Sequence, residues 1–306
     1  MKISAYKSNA WQNEAMAEQY VISTGNKDDY SYFLFEQYLE ELKKRVDAGA
    51  RVLDTGCGTG VVSLALADAG FQVTSVDISK EMLAQLREMD QLRNKSGTGS
   101  IEICVGDVFN LPVPDESFDA VISRWVLPHF PEWPLAIIEA SHKLKPGGFL
   151  FFDMCSSENI EMSKSVGEVD HHVFGHSNNP NNISLFYTTV GNRELSLAAS
   201  ISGLELVTVQ PHGFFRQNSI IAAALGAENF KTYRKEFDEH FKNPGANAFI
   251  KWFESKVTPH LSQAMVYGMI VVMRRPSSSD MAEIKIPESK RRLKFIAHIK
   301  SLFGKG

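Results

Sequence analysis

At 306 residues, 43% of them hydrophobic, the chain is long enough to bury a full α/β core and still carry a smaller subdomain. Its net charge of −4 gives no general attraction to nucleic acid, and no run approaches the ~20 apolar residues of a membrane span. The three cysteines, Cys57, Cys104 and Cys155, fall on predicted core elements without a C-x-x-C pair, which points to a reducing cytoplasm rather than to disulfides or zinc.

The first ten residues lack the apolar run of a signal peptide. Residues 8–48 read as helices, one from Trp11 to Tyr20 and a second from Tyr30 to Val46, where Phe33, Leu34, Tyr38, Leu39 and Leu42 recur at helical spacing. Val52-Leu53 is the end of a buried strand. Asp54 follows, then Gly56, Gly58 and Gly60 at alternate positions, then the apolar helix start Val61-Val62-Ser63-Leu64. A glycine-rich turn between strand and helix lets a ligand approach the backbone where side chains would block it. Phe71 to Asp77 is a second strand ending in an acid, 23 residues after Asp54. At that spacing a carboxylate of a strand–helix–strand unit meets ribose hydroxyls.

Ile101 to Asp107 is a third strand, again ending in an acid, Phe118 to Ser123 a fourth, and Pro146 to Asp153 a fifth. A polar loop from Ser156 to Asn182 then carries Asp170, His171, His172 and His176. These have some metal-ligand character, but a polar surface loop explains them as well, and no metal is assigned. Thr189 to Gly203 reads as a capped helix ended by glycine. Leu204–Gln210 and Met265–Met273 are the sixth and seventh strands.

Residues 214–263, between those last strands, read as several helices with Tyr233, Phe237, Phe241, Phe249, Trp252 and Phe253 at the apolar positions. An insertion of that length is usually functional. A substrate cap is the expected role and a homodimer contact the rival. After a Pro276–Asp280 linker, the tail places Phe295, Ile299, Leu302 and Phe303 on one helical face. Residues 277–306 hold seven Lys/Arg against three Asp/Glu, which leaves −8 on the rest. Such a helix suits an anionic membrane surface or docks on its own domain or a partner.

The five strand-and-motif units between residues 50 and 155 together resemble the class I S-adenosylmethionine-dependent methyltransferases. The resemblance implies a doubly wound, Rossmann-like α/β sheet of seven strands with S-adenosyl-L-methionine across its carboxyl ends. It divides the chain into an N-terminal helical lid (1–48), a core (49–213 and 264–276), a cap (214–263) and the tail (277–306). A nicotinamide dehydrogenase is disfavoured by spacing: the third glycine of G-x-G-x-x-G would fall at Val61 or at Ser63. A phosphate loop is excluded because no Gly-Lys-Ser/Thr follows the turn.

By the same resemblance, Asp54 and the Gly56, Gly58 and Gly60 turn would pass around the methionine and ribose portions of the cofactor. Asp77 would accept from the ribose hydroxyls, with Ile78 against the adenine. Asp107 would accept from the adenine amino group beside the Val108 backbone, and Ser123 and Arg124 would line the other side. Lid residues Trp11, Tyr20 and Tyr30 either face the pocket or pack the lid onto the sheet. His129, where family members often have one or two histidines, and His212, after the sixth strand, are the catalytic candidates. Capping or packing is the competing role for both, and Tyr187 and Asp153 are further residues within reach of an acceptor.

The expected activity is methyl transfer to a small or carrier-linked acceptor, oxygen favoured, by a cytoplasmic enzyme. A membrane-bound tail would place it peripherally at the inner membrane surface and suit a sugar of a cell-surface glycan or a lipid-linked intermediate. A natural-product methyltransferase is the alternative among enzymes, and a cofactor-binding regulator or scaffold the alternative outside them.

Overall fold

The structure, a computed structural model, describes residues 2–12, 29–93, 99–167, 186–277 and 280. The core is one sheet. Strands β1 (Arg51–Thr55), β2 (Gln72–Asp77), β3 (Ser100–Val105), β4 (Phe118–Ser123) and β5 (Leu144–Ser156) run parallel in the order β3-β2-β1-β4-β5. A two-residue strand β6 (Thr189–Val190) pairs with the end of β5, and β7 (Glu205–His212) and β8 (Gly268–Arg274) complete the path as β5-β8-β7. The β8 strand is antiparallel to both neighbours. The expected seven strands are therefore present, with β6 added to them.

Alternation along each strand sends side chains to two separate cores. On β5, Phe152 and Met154 pack with Trp133 and Ile137 of α5 (Trp133–Lys143) and Leu195 of α7 (Asn192–Ser202). Phe151 faces the other layer, with Phe35, Tyr38 and Leu42 of α2 (Tyr30–Lys43) and Leu66 of α3 (Val61–Asp68). A sheet covered on both faces explains why its central strands read as near-continuous apolar runs.

The first described helix, α1, spans Lys2–Trp11, and the helix expected from Trp11 to Tyr20 lies almost wholly outside the described residues. The α1 sequence has no apolar stripe to read, and among residues 5–10 only Lys7 is buried. Residues 13–28, including Tyr20, lie outside the described residues. One expectation is corrected at Thr189-Val190, which pairs with Cys155 and Ser156 instead of opening α7. That helix starts at Asn192, where Glu194 accepts the Gly191 N–H at 3.0 Å, and it ends at left-handed Gly203 (φ 70°).

After α4 (Lys80–Leu92) and α6 (Ser157–Lys164), the residues between β7 and β8 form α8 (Ser219–Leu225), α9 (Ala227–Phe241) and α10 (Pro244–Lys256). They fold back onto the start of α2. Tyr30 and Phe33 meet Phe237, Phe241 and Ile250 in one aromatic cluster, with Tyr30 edge-on to Phe237 at 4.9 Å. The Tyr30 hydroxyl donates to buried Glu254, which also accepts the Phe215 N–H at 3.3 Å. No described helix is long and apolar enough to cross a membrane, and the basic tail helix expected within 277–306 lies almost wholly outside the described residues.

Candidate active site

Strand order reverses at β1, which lies between β2 and β4, and ligands of open α/β sheets bind beyond the carboxyl ends of the strands at such a point. A cavity of about 310 Å³ opens there. Gly56, Gly58, Asp77, Ile78, Asp107 and Val108 line one side of it. Three of the ten residues expected at the cofactor, Asp54, Gly60 and Ser123, do not line it.

Those three have structural employment. Asp54 is buried on β1 and accepts the Ser63 hydroxyl at 2.6 Å; Ser63 in turn accepts from Ser75 at 2.7 Å. Burial, reinforced by the charge of Asp77 and opposed by the Ser63 hydrogen bond and Arg124, pushes the Asp54 carboxyl up to about 7. Gly60, at φ 86°, opens α3, and a Cβ there would lie 2.1 Å from Leu86. The Ser123 hydroxyl donates to the Thr55 carbonyl at 3.5 Å.

The residues that do line the cavity fit an adenosyl cofactor with an amino-acid end. Gly56 (φ 68°) and Gly58 (φ 54°) turn the backbone through the left-handed region, and a Cβ on Gly56 would lie 2.4 Å from Val126. Asp77 is oriented by its own loop: Oδ2 accepts the Gly58 N–H at 2.8 Å and Oδ1 the Ser79 N–H at 2.8 Å. Burial raises its pKa, and those N–H groups pull it back. Each oxygen keeps a second lone pair for a ligand hydroxyl. Asp107 is held likewise, accepting the Phe109 N–H at 3.0 Å. Arg124, also in the lining, donates to the Ser31 carbonyl at 2.9 Å and lies over the Phe35 ring, and it makes no ion pair with a described residue.

The other side of the cavity is aromatic and carries both catalytic candidates. Trp125, Phe130, Tyr187 and Tyr267 line it with His129 and His212. Sequence reading did not single out Trp125 or Tyr267. Trp125 adopts φ 54°, unusual for a bulky residue, and its N–H donates to Asp153 Oδ1 at 3.0 Å. Asp153 is thus buried behind Trp125 rather than part of the lining. Burial pushes its carboxyl up to about 7 against the pull of Arg124, and its Oδ2 has no hydrogen-bond partner among the described residues.

His212 is 3% exposed, and neither ring nitrogen has a hydrogen-bond partner among the described residues. Burial first, then the positive charge of Arg124, lowers it to about 3. It is therefore a neutral hydrogen-bonding group at ordinary pH and a poor base. Orphaned buried polar atoms at a cavity wall are where a ligand's polar group compensates desolvation.

His129 sits on a 3-10 turn, Leu127–His129, with its Nε2 2.9 Å from the Tyr187 hydroxyl and the two rings 4.4 Å apart. Thr188 pins the strands of chain that make this contact: its N–H donates to the Pro128 carbonyl at 2.6 Å and its hydroxyl to the Phe130 carbonyl at 3.0 Å. Tyr30 lines the cavity as well as packing on Phe237 and Phe241 of α9. No cluster of His, Cys, Asp or Glu suited to a metal occurs among the described residues, and Asp170, His171, His172 and His176 lie outside them.

Comparison with known proteins bears on the domain and the fold. Residues 53–152 match a family model described as a methyltransferase domain. The ubiquinone biosynthesis O-methyltransferase of Xanthomonas campestris pv. campestris (strain B100) is 43% identical over 105 residues, 34% of this chain and 42% of that protein. The chain thus matches less than half the length of that relative. Among solved structures, a methyltransferase in complex with the Haloferax volcanii Trm112 activator superposes with a TM-score of 0.56 at 18% identity, covering 88% of this chain and 97% of that one. A S-adenosylmethionine-dependent methyltransferase from Methanosarcina mazei gives 0.52 at 16% identity, covering 78% and 98%. Both show the fold.

Proposed function

We propose that this chain, whose residues 53–152 belong to the methyltransferase domain family, transfers the methyl group of S-adenosyl-L-methionine to a hydroxyl of a small acceptor. The observation that carries the reading is a single cavity with two chemically different sides, a glycine-and-carboxylate side and an aromatic, imidazole-bearing side. When bound, the cofactor supplies a methyl group on a sulfonium, open to in-line displacement.

The chain's own residues bind and align. Asp77 would take the ribose hydroxyls, Asp107 the adenine amino group, Ile78 an adenine face, and the Val108 backbone an adenine ring nitrogen. Arg124 brings a positive charge that suits a carboxylate. Trp125, Phe130, Tyr187 and Tyr267 hold the acceptor out of water, and His212 fixes one of its polar groups. Alignment of this kind supplies much of the acceleration of a displacement.

Oxygen is favoured because a relative matching a third of the chain is named an O-methyltransferase. That name lends nothing to a glycan sugar. The test is transfer of a labelled methyl group from the cofactor to a panel of phenols, alcohols and amines. Label in hydroxyl acceptors is the expected result. Label in amines alone contradicts the oxygen reading, and a cofactor that binds without any transfer favours a regulator or scaffold.

A further inference from the structure

We propose that the acceptor is a hydroxy acid whose carboxylate is held by Arg216 and His212, on the segment that leaves β7. The inference rests on the methyl-transfer reading and deepens it by naming the substrate class. Charge is segregated in the cavity lining. The carboxylates Asp77 and Asp107 belong to the side built from β2 and the loop after β3, whereas Arg124 and Arg216 follow β4 and β7.

Arg216 is held ready for a ligand. Asp238 of α9 takes its Nε and Nη2 groups at 2.7 and 3.0 Å, and the Nη1 N–H groups have no acceptor among the described residues. A guanidinium presents its donors as a planar fork that matches a carboxylate. Arg234, one turn before Asp238 on α9, lies close enough to Arg216 for their charges to oppose each other. Asp238 and, more weakly, Asp29 at the start of α2 offset them, and Arg124 adds a further positive charge that is felt at His212. An anion relieves such an excess.

His212 supplies the second contact. It is 3% exposed, lines the cavity, and has no hydrogen-bond partner at either ring nitrogen among the described residues. Gly268 of β8 leaves room beside it, since a Cβ there would lie 3.0 Å from His212 Nε2. A neutral imidazole offers one N–H, and a carboxylate oxygen that accepts it offsets the cost of burying that donor. The segment between the two residues is fixed in advance. Asn218 Nδ2 donates to the Phe214 carbonyl at 3.1 Å, and the Tyr233 hydroxyl donates to the Phe215 carbonyl at 2.7 Å.

The test uses the full chain saturated with S-adenosylhomocysteine, and mandelate and mandelamide as probes. The two share a ring and a hydroxyl and differ in the anionic group. By calorimetry the wild type is expected to bind mandelate at least about tenfold more tightly than mandelamide. Arg216→Gln and His212→Phe should each weaken mandelate alone, with mandelamide and S-adenosylhomocysteine held within about twofold of wild type. Arg216→Lys, which keeps the charge and loses the fork, should fall between. If Arg216→Gln does not fold, His212→Phe decides, because it leaves the Arg216–Asp238 pair in place.

Equal affinity for the two probes in the wild type, or binding of neither, overturns the carboxylate site. Variants that weaken both probes alike make Arg216 and His212 packing residues of the wall and overturn it too. S-adenosylhomocysteine has a carboxylate of its own, so 5′-methylthioadenosine, which lacks one, separates the two sources. Variants that weaken S-adenosylhomocysteine but not 5′-methylthioadenosine assign the site to the cofactor and overturn the hydroxy-acid assignment. A wild type that does not bind S-adenosylhomocysteine defeats the methyl-transfer reading and the assignment with it. Intact cofactor binding without a preference for mandelate defeats the assignment alone.

Discussion

Asp153 shows what a side chain outside the cavity does for it. Its carboxylate holds Trp125 in a left-handed backbone conformation and so sets part of the aromatic wall. Burial lifts it from 3.8 to about 7, so the folded protein binds a proton there that the unfolded chain does not. Its contribution to stability is fully present below its unfolded pKa and lost as pH rises through about 7. Asp153→Asn keeps an acceptor for Trp125 and removes the titration. The melting temperature of the variant, relative to wild type, should therefore climb between about pH 4 and 7 and level off above. A difference independent of pH would contradict the assignment.

Residues of this kind mark the limit of reading at this scale. Asp77, Asp107 and the glycines were legible because each ends a strand or fills a turn next to its motif. The Tyr187–His129 contact spans 58 residues of sequence and depends on a Thr188–Pro128 hydrogen bond, which no pattern announces.

At the scale of elements, the strands were the easiest to read and the lid and insertion the hardest. Strands β1 to β5 are legible as short apolar runs, four of them closed by an acid (Asp54, Asp77, Asp107 and Asp153), whereas Thr189-Val190 reads as a helix start because a threonine before a polar turn also looks like a helix cap. The insertion was legible as helices, but not which surface it covers. Its aromatic face closes on Tyr30 and Phe33 at the start of α2, and Arg216, another cavity-lining residue, is tied to Asp238 of α9 through two hydrogen bonds of 2.7 and 3.0 Å.

The cap reading therefore predicts a split effect from loosening this cluster. Phe237→Ala removes a buried ring that contacts Tyr30 and Phe215 and should destabilise the cap by about 3–5 kcal/mol. The KM for the acceptor should rise well beyond any change in cofactor affinity, because Asp77 and Asp107 sit on β2 and the loop after β3. Equal losses in both would contradict the cap. Unchanged kinetics with a dissociated dimer would favour the rival role as a subunit contact.

For the molecule as a whole, the arrangement follows from a sheet covered on both faces whose strand order reverses at β1. That reversal opens the cavity at the carboxyl ends of the strands, where the proposed function places cofactor and acceptor, and the start of α2 packs on α9 and α10. The fold was legible because the order of motifs, acid after strand after strand, belongs to few architectures. The acceptor was not, since its side of the cavity is assembled from α1, the β4–α5 segment, Tyr187 and the ends of β7 and β8.

The central claim is that this cavity holds S-adenosylmethionine through Asp77, and calorimetry tests it most directly. The wild type should bind S-adenosylhomocysteine at one site per chain. Asp77→Ala, shown by circular dichroism to be folded, should bind it at least about tenfold more weakly, since a hydrogen bond to a charged acceptor contributes about 1.5–3 kcal/mol. Unchanged affinity in Asp77→Ala, or a wild type that binds a nicotinamide cofactor in its place, would contradict the account.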